Sequence, residues 1–205
     1  SSIVSTRVVL VLMSPMAMIR PFGTWRIGEK SPSRATSSHS NRNRSCGSSL
    51  KMRSASGRGQ VHTGTCYQNL GVQELKDLED AVAYVCKEYG GDPARVAISG
   101  WSYGGFMAAY ALTHSDKFAL GLAGACVYDW RLYDTIYTER YMRTPQENTA
   151  GYAATSVIGA AKNLRGHLVL LHGSMDDNVH LQNTMQLLWE LQSAGKQNVE
   201  LMVYP

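Results

Sequence analysis

The chain has 205 residues, 44% hydrophobic and 18% charged, enough for one core-bearing domain and too few for two. Its net charge of +4 is unevenly spread: residues 1–66 hold ten Lys/Arg against one acid, Glu29, whereas residues 67–205 hold ten against fifteen. The basic total is therefore no sign of a nucleic-acid partner, and none is expected.

The four cysteines, Cys46, Cys66, Cys86 and Cys126, form no C-x-x-C pair, and no histidine cluster has metal-ligand spacing. They read as free buried thiols, with no metal and no cofactor expected. The longest apolar run, Val8 to Met13 and on to Ile19, is interrupted by Ser14 and Pro15 and is too short to span a bilayer. The compartment stays open.

In chain order, residues 1–66 come first. Fourteen are Ser, and Arg is scattered without helical or strand period. Low hydrophobicity with high net charge marks a segment that cannot bury enough surface to fold. The expectation is a basic Ser/Arg-rich segment that is disordered, or that is not native sequence at all; a basic arm for an acidic partner is the weaker reading.

From Tyr67 the pattern changes, and residues 67–205 read as the folded part. "VQELKDLEDAVAYVCKEYGG" sets Val72, Leu75, Leu78, Val82 and Val85 at three- and four-residue steps, an amphipathic helix stopping at Gly90-Gly91. "DPARVAISG" is a turn and a short strand, Val96–Ser99, and "YGGFMAAYALTH" a buried helix. "FALGLAGACV" and "HLVLLHG" are further apolar strands. "NVHLQNTMQLLWELQSAGK" is a helix with Leu181, Met185, Leu188 and Leu191 on one face, and "VELMVYP" is a last strand. Apolar strands alternating with helices predict an α/β fold, a mostly parallel sheet with helices on both faces.

Gly100-Trp101-Ser102-Tyr103-Gly104 is G-x-S-x-G between a strand and a helix, the context a nucleophile elbow needs. Small flanking residues let the chain double back, and the helix N-terminus offers N–H groups to an oxyanion. Ser102 is thus the candidate nucleophile. It requires a base, and the base requires a carboxylate. In this fold the order is Ser, then acid, then His, and "HLVLLHGSMDDNVH" supplies Asp176 and Asp177 just past a strand. One of the pair is expected to serve as a helix cap.

"GWSYGG", "VYDWRLYDTIYTERYM" and "HGSMDDNVH" together resemble the catalytic domain of the prolyl oligopeptidase family, its dipeptidyl peptidase IV-like branch in particular, over about Tyr67 to Pro205. The resemblance implies a serine peptidase on an α/β-hydrolase fold, incomplete at both ends here. It implies Ser102 as nucleophile, Asp176 as the acid and the Tyr103 backbone N–H as an oxyanion donor. It also implies a pocket for proline or alanine walled by Tyr133 and Tyr137, helped by Val127, Trp130 and Val179, with Asn178 binding a substrate carbonyl. On a helix, Tyr133 and Tyr137 at i, i+4 would share a face. The partners implied are a peptide substrate, a β-propeller domain of a parent chain, and a second copy in a homodimer.

Six histidines are present: His39, His62, His114, His167, His172 and His180. None stands where the resemblance puts the base, which is expected just after the strand matching "VELMVYP", beyond Pro205. The early-loop oxyanion donor is not found in residues 1–66. The expectation is a peptidase part that is inactive alone. A carboxylesterase or acylaminoacyl peptidase of the same fold, or a non-catalytic remnant of it, are the alternatives.

Overall fold

The computed structural model describes residues 9–13, 52–54 and 59–205. The expectations for the rest of residues 1–66, including most of the Ser/Arg run, lie outside the described residues. Three pieces of that segment do join the fold, residues 59–66 among them, with Cys66 buried in the core. Val9–Met13 forms strand β1, and Arg53 bonds Asp77 through its backbone N–H and through Nε, each at 2.6 Å. A short apolar run surrounded by Ser and Arg was enough for a strand once a neighbouring edge was there to pair with.

Five strands make one wholly parallel sheet, β1, β2 (Val96–Trp101), β3 (Leu120–Gly124), β4 (His167–Gly173) and β5 (Val199–Tyr204), in that spatial order. The register aligns Val11, Ile98, Gly121, Leu168 and Val199 in one row across all five strands. Helix α3 (Tyr103–His114) lies over this face, where a side chain added at Gly121 would meet Leu112 at 2.9 Å. Every residue from Gly104 to Thr113 is buried, because α3 is wedged between the sheet and an outer layer. That position explains a helix apolar on all sides.

Chain order equals spatial order, so right-handed crossovers carry successive connections over one face. Of the described helices, α3 touches β1 to β4 and the helix of residues 72–89 touches β1. On the other face Leu122, Val169 and Leu171 are half-buried and Leu10, Met202 and Tyr204 exposed.

After a single helical turn, α1 (Gln60–Thr63), helix α2 (Val72–Tyr89) packs Leu75, Leu78 and Val82 inward, as its periodicity predicts. It ends at Gly90, whose φ of 68° is the left-handed cap that only glycine adopts cheaply. Helices α4 (Thr135–Met142) and α5 (Thr149–Thr155) follow β3, with N-caps Asp134 and Asn148 accepting from the backbone N–H of Tyr137 and Gly151. Helix α6 (Gln182–Ser193) is shorter than expected and rotated. Thr184, Leu187 and Leu191 are buried, whereas Met185 faces solvent. A buried polar residue at position 184 hid the true inward stripe from a hydrophobicity count.

Candidate active site

Ser102 stands between the last residue of β2 and the first of α3, half-buried, with φ 54° and ψ −123°. A β-carbon residue rarely adopts that conformation, and the strain lifts the side chain off the strand line. The turn is fixed from both sides: the Ser102 N–H donates to the Gly124 carbonyl at 2.8 Å and the Phe106 N–H donates to the Ser102 carbonyl at 3.0 Å. The chain can double back because Gly100 lies against the backbone of Gly104, where any side chain would collide. The Ser102 side chain forms no cap bond with α3, so its hydroxyl is not committed to the helix.

The neighbouring strand ends complete the edge. Asp176 follows β4 by three residues. Its Oδ1 accepts from the backbone N–H of Asn178 at 3.1 Å and of Val179 at 2.9 Å. These bonds hold the carboxylate in its own turn; the N-cap of α6 is Leu181, so neither Asp of the pair caps that helix. Asp177 is exposed.

The aromatic residues singled out in the sequence do meet. Trp130 lies between Tyr103, Tyr133 and Tyr137, with ring centroids at 5.9, 6.4 and 6.1 Å, and Tyr133 and Tyr137 meet edge to face at 5.4 Å. Val127, Trp130 and Val179 are buried. The reason for the Tyr pair differs from the expected one. Tyr133 precedes α4, on extended backbone at φ −122° and ψ 166°, and reaches Tyr137 from outside the helix. The Tyr133 hydroxyl donates to Asn178 Oδ1 at 3.0 Å, tying the aromatic wall to the Asp176 turn. Burial pushes the Tyr103 and Tyr137 hydroxyls well above the usual tyrosine range and also raises Tyr133. The wall is therefore neutral at any physiological pH, suited to an apolar ring.

The structure brings in two residues that the pattern of the sequence did not mark. Asn183 is buried on α6, accepts from the Tyr128 N–H at 3.2 Å and donates to the Leu132 carbonyl at 3.4 Å, anchoring the segment that carries Val127 and Trp130. His172 is fully buried. Its Nε2 lies 2.7 Å from the Val179 carbonyl and its Nδ1 2.6 Å from the Thr184 hydroxyl. A carbonyl only accepts, so Nε2 carries the proton and Nδ1 accepts from Thr184. His172 is a brace beneath Val179 and the Asp176 turn, its Nε2 also standing 3.5 Å from Asp176 Oδ2, and both ring nitrogens are engaged where no solvent reaches them. Ordinary hydrophobic periodicity gives no signal for either residue.

The other described histidines stand away from Ser102 or lack a catalytic contact. His114 ends α3, a helix length from the elbow, stacked on Tyr110 at 3.9 Å. His167 opens β4 at the opposite end of the sheet and pairs with Glu200 at 2.9 Å. His62 is exposed on α1, and His180 is exposed on the Asp176 turn with no bond to the carboxylate. No group of three metal-binding side chains occurs among the described residues, and none of their helices is long and apolar enough to cross a membrane.

Comparison with known proteins gives concordant results. Residues 50–205 match the prolyl oligopeptidase family. A protein of Metarhizium robertsii named probable dipeptidyl-aminopeptidase B is 46% identical over 150 residues, covering 72% of this chain and 16% of the relative. A protein of the same name from Botryotinia fuckeliana is 48% identical over 143 residues, covering 67% and 15%. The crystal structure of Porphyromonas gingivalis dipeptidyl peptidase 4 superposes with a TM-score of 0.72 at 41% identity, over 75% of this chain and 22% of that one. The chain thus spans about a sixth of the length of the curated relatives it matches.

Proposed function

The chain belongs to the prolyl oligopeptidase family, and from that premise we propose that it carries the nucleophile and acid of a serine peptidase that cleaves peptide bonds after proline or alanine. The observation that carries the reading is the strained Ser102 between β2 and α3, whose hydroxyl forms no cap bond with the helix. The names of its relatives, dipeptidyl-aminopeptidase B and dipeptidyl peptidase 4, support the peptidase over the esterase alternative.

In this proposal Ser102 Oγ attacks the substrate carbonyl carbon while its proton passes to an imidazole. The C–N bond then breaks, the imidazole returns the proton to the leaving amine, and water hydrolyses the acyl-enzyme by the same steps. Asp176 holds the imidazole in the tautomer that accepts from serine. The Tyr103 N–H, at the start of α3, stabilises the developing oxyanion. Tyr133, Tyr137, Trp130, Val127 and Val179 enclose the proline or alanine side chain, and Asn178 binds a substrate carbonyl. In this reading the imidazole is a histidine outside the described residues; the engaged ring nitrogens of His172 and the positions of His114 and His167 at other ends of their elements support it. A β-propeller domain and a second copy are the partners proposed for a full-length protein, from the family alone.

The test is a fluorophosphonate probe on a full-length protein containing this segment: it labels Ser102, and Ser102→Ala abolishes the label. Tyr137→Ala reduces discrimination between proline and bulkier residues at the cleaved position. The 205-residue chain by itself turns over no X-Pro chromogenic substrate appreciably. Robust turnover that disappears in His180→Ala would overturn the assignment of the base.

A further inference from the structure

Most charged residues of helix α2 reach solvent or, like Asp77 under Arg53, pair with a charged partner at the surface; Glu74 does neither. Glu74, in its first turn, is 2% exposed. An ionisable group in such a place costs several kcal/mol unless its oxygens are satisfied. One oxygen has a local explanation: Oε2 accepts from the Gly71 backbone N–H at 3.1 Å, the reach-back bond that closes a helix start. The other does not. Oε1 accepts from the Tyr103 hydroxyl at 3.1 Å, across 29 residues of sequence. A Ser54 side chain adds a further bond to the carboxyl. A capping role alone leaves one oxygen free to face water, as at most helix starts; here that oxygen is turned inward, onto the residue that follows Ser102.

Tyr103 is consequently held at three points. Its hydroxyl is held by Glu74, its ring packs on Phe106 at 5.5 Å and on Trp130 at 5.9 Å, and its backbone is the first residue of α3. The contact between the two helices is tight: a β-carbon on Gly71 would lie 3.0 Å from the Phe106 ring. Burial pushes both the Glu74 carboxyl and the Tyr103 hydroxyl upward. Cys66, Tyr110 and Tyr137 are the other titratable groups near this carboxyl.

We propose that Glu74 is a positioning residue for the reaction at Ser102: through the Tyr103 hydroxyl it fixes both the Tyr103 ring that floors the proline pocket and the backbone N–H beside the nucleophile. This rests on the reading of Ser102 as the nucleophile. A side chain that sets the direction of an oxyanion donor acts on the transition state more than on ground-state binding, so kcat and kcat/KM fall together.

The experiment uses a full-length protein containing this segment, with turnover of an X-Pro chromogenic substrate normalised to the amount of Ser102 labelled by a fluorophosphonate. Normalising removes any loss caused by a smaller folded fraction. Glu74→Leu is expected to lower kcat per labelled serine about tenfold to a hundredfold, the range that follows from small misplacement of catalytic groups. Tyr103→Phe, which deletes one oxygen and keeps the ring, is expected to cause a comparable loss, and the double variant to be no worse than the more damaged single one. Glu74→Gln keeps an acceptor for the tyrosine and is expected to recover most of the rate; if Glu74→Leu yields no folded protein, Tyr103→Phe carries the test. Unchanged turnover per labelled serine in Glu74→Leu, a silent Tyr103→Phe, or additive losses in the double variant would each overturn the proposal. Absence of label on Ser102 in the unaltered protein would refute the nucleophile reading and this inference with it.

Discussion

The strain at Ser102 can be weighed by replacing the residue with glycine and with alanine. Alanine removes the hydroxyl but keeps the β-carbon at φ 54° and ψ −123°; glycine removes both. Because the hydroxyl forms no cap bond with α3, its loss in either variant gives up no helix cap. A residue held in such a region stores about 1–3 kcal/mol. Glycine also loosens the unfolded chain, which offsets about 0.4–1 kcal/mol of the gain. Ser102→Gly should therefore be more stable than Ser102→Ala by about 1.3 kcal/mol at the midpoints of these ranges, or about 3–5 °C in the unfolding midpoint for a chain of this size. Urea denaturation followed by circular dichroism, with a matched thermal scan, measures the difference. The wild-type serine should fall beside alanine, so that the variant with no nucleophile is the most stable of the three. If glycine proved equal to or less stable than alanine, the turn would not be strained, and the argument that the fold holds Ser102 poised would fail.

Gly105→Ala places a β-carbon 2.7 Å from the Gly124 carbonyl oxygen and 2.9 Å from its nitrogen. Neither is a side chain that can turn away, so the cost should reach or exceed the upper end of the usual overpacking range, about 3 kcal/mol; a variant with an unchanged melting midpoint would refute this. Asp176→Asn is expected to reduce turnover by several orders of magnitude, since a mis-set tautomer has cost about 10⁴ in another serine protease. Asp177→Asn is expected to be mild, and the reverse order of damage would exchange their roles. Asp129 is buried, which by itself raises its pKa, but bonds from Arg131 at 2.6, 2.8 and 3.0 Å and from the Ser156 hydroxyl at 2.6 Å hold it below the usual carboxylate range. Its folded pKa is depressed, so its contribution to stability is present above the unfolded value of about 3.9 and is lost as pH falls through the folded one. Asp129→Asn should lower stability at pH 7 and flatten the loss below pH 4 in urea titrations; an unaltered acid slope would count against the pairing.

Local pattern by itself determined β2 to β5, helices α2 and α3 and the presence of α6, but not α4 or α5. The three- and four-residue steps from Val72 to Val85, the apolar runs at Val96 and His167, and the glycines around Ser102 each encode a period or a backbone demand that needs no partner to be recognised. The order Ser102 then Asp176 was legible because one fold imposes it. What the sequence could not decide was which polar side chains would be turned inward. Nothing in the local pattern marks Glu74, Asn183 or His172 as buried, since burial of a polar group depends on donors and acceptors that arrive from 7 to 55 residues away. The same is true of β1, whose five residues are a strand only beside β2, and of Tyr133, which meets Tyr137 through the turn after Trp130 and not through a shared helix face. Periodicity reports the free energy of burying apolar surface, which is local and additive. Hydrogen-bond satisfaction in a low-dielectric interior is pairwise and long-range, and only the tertiary structure decides it.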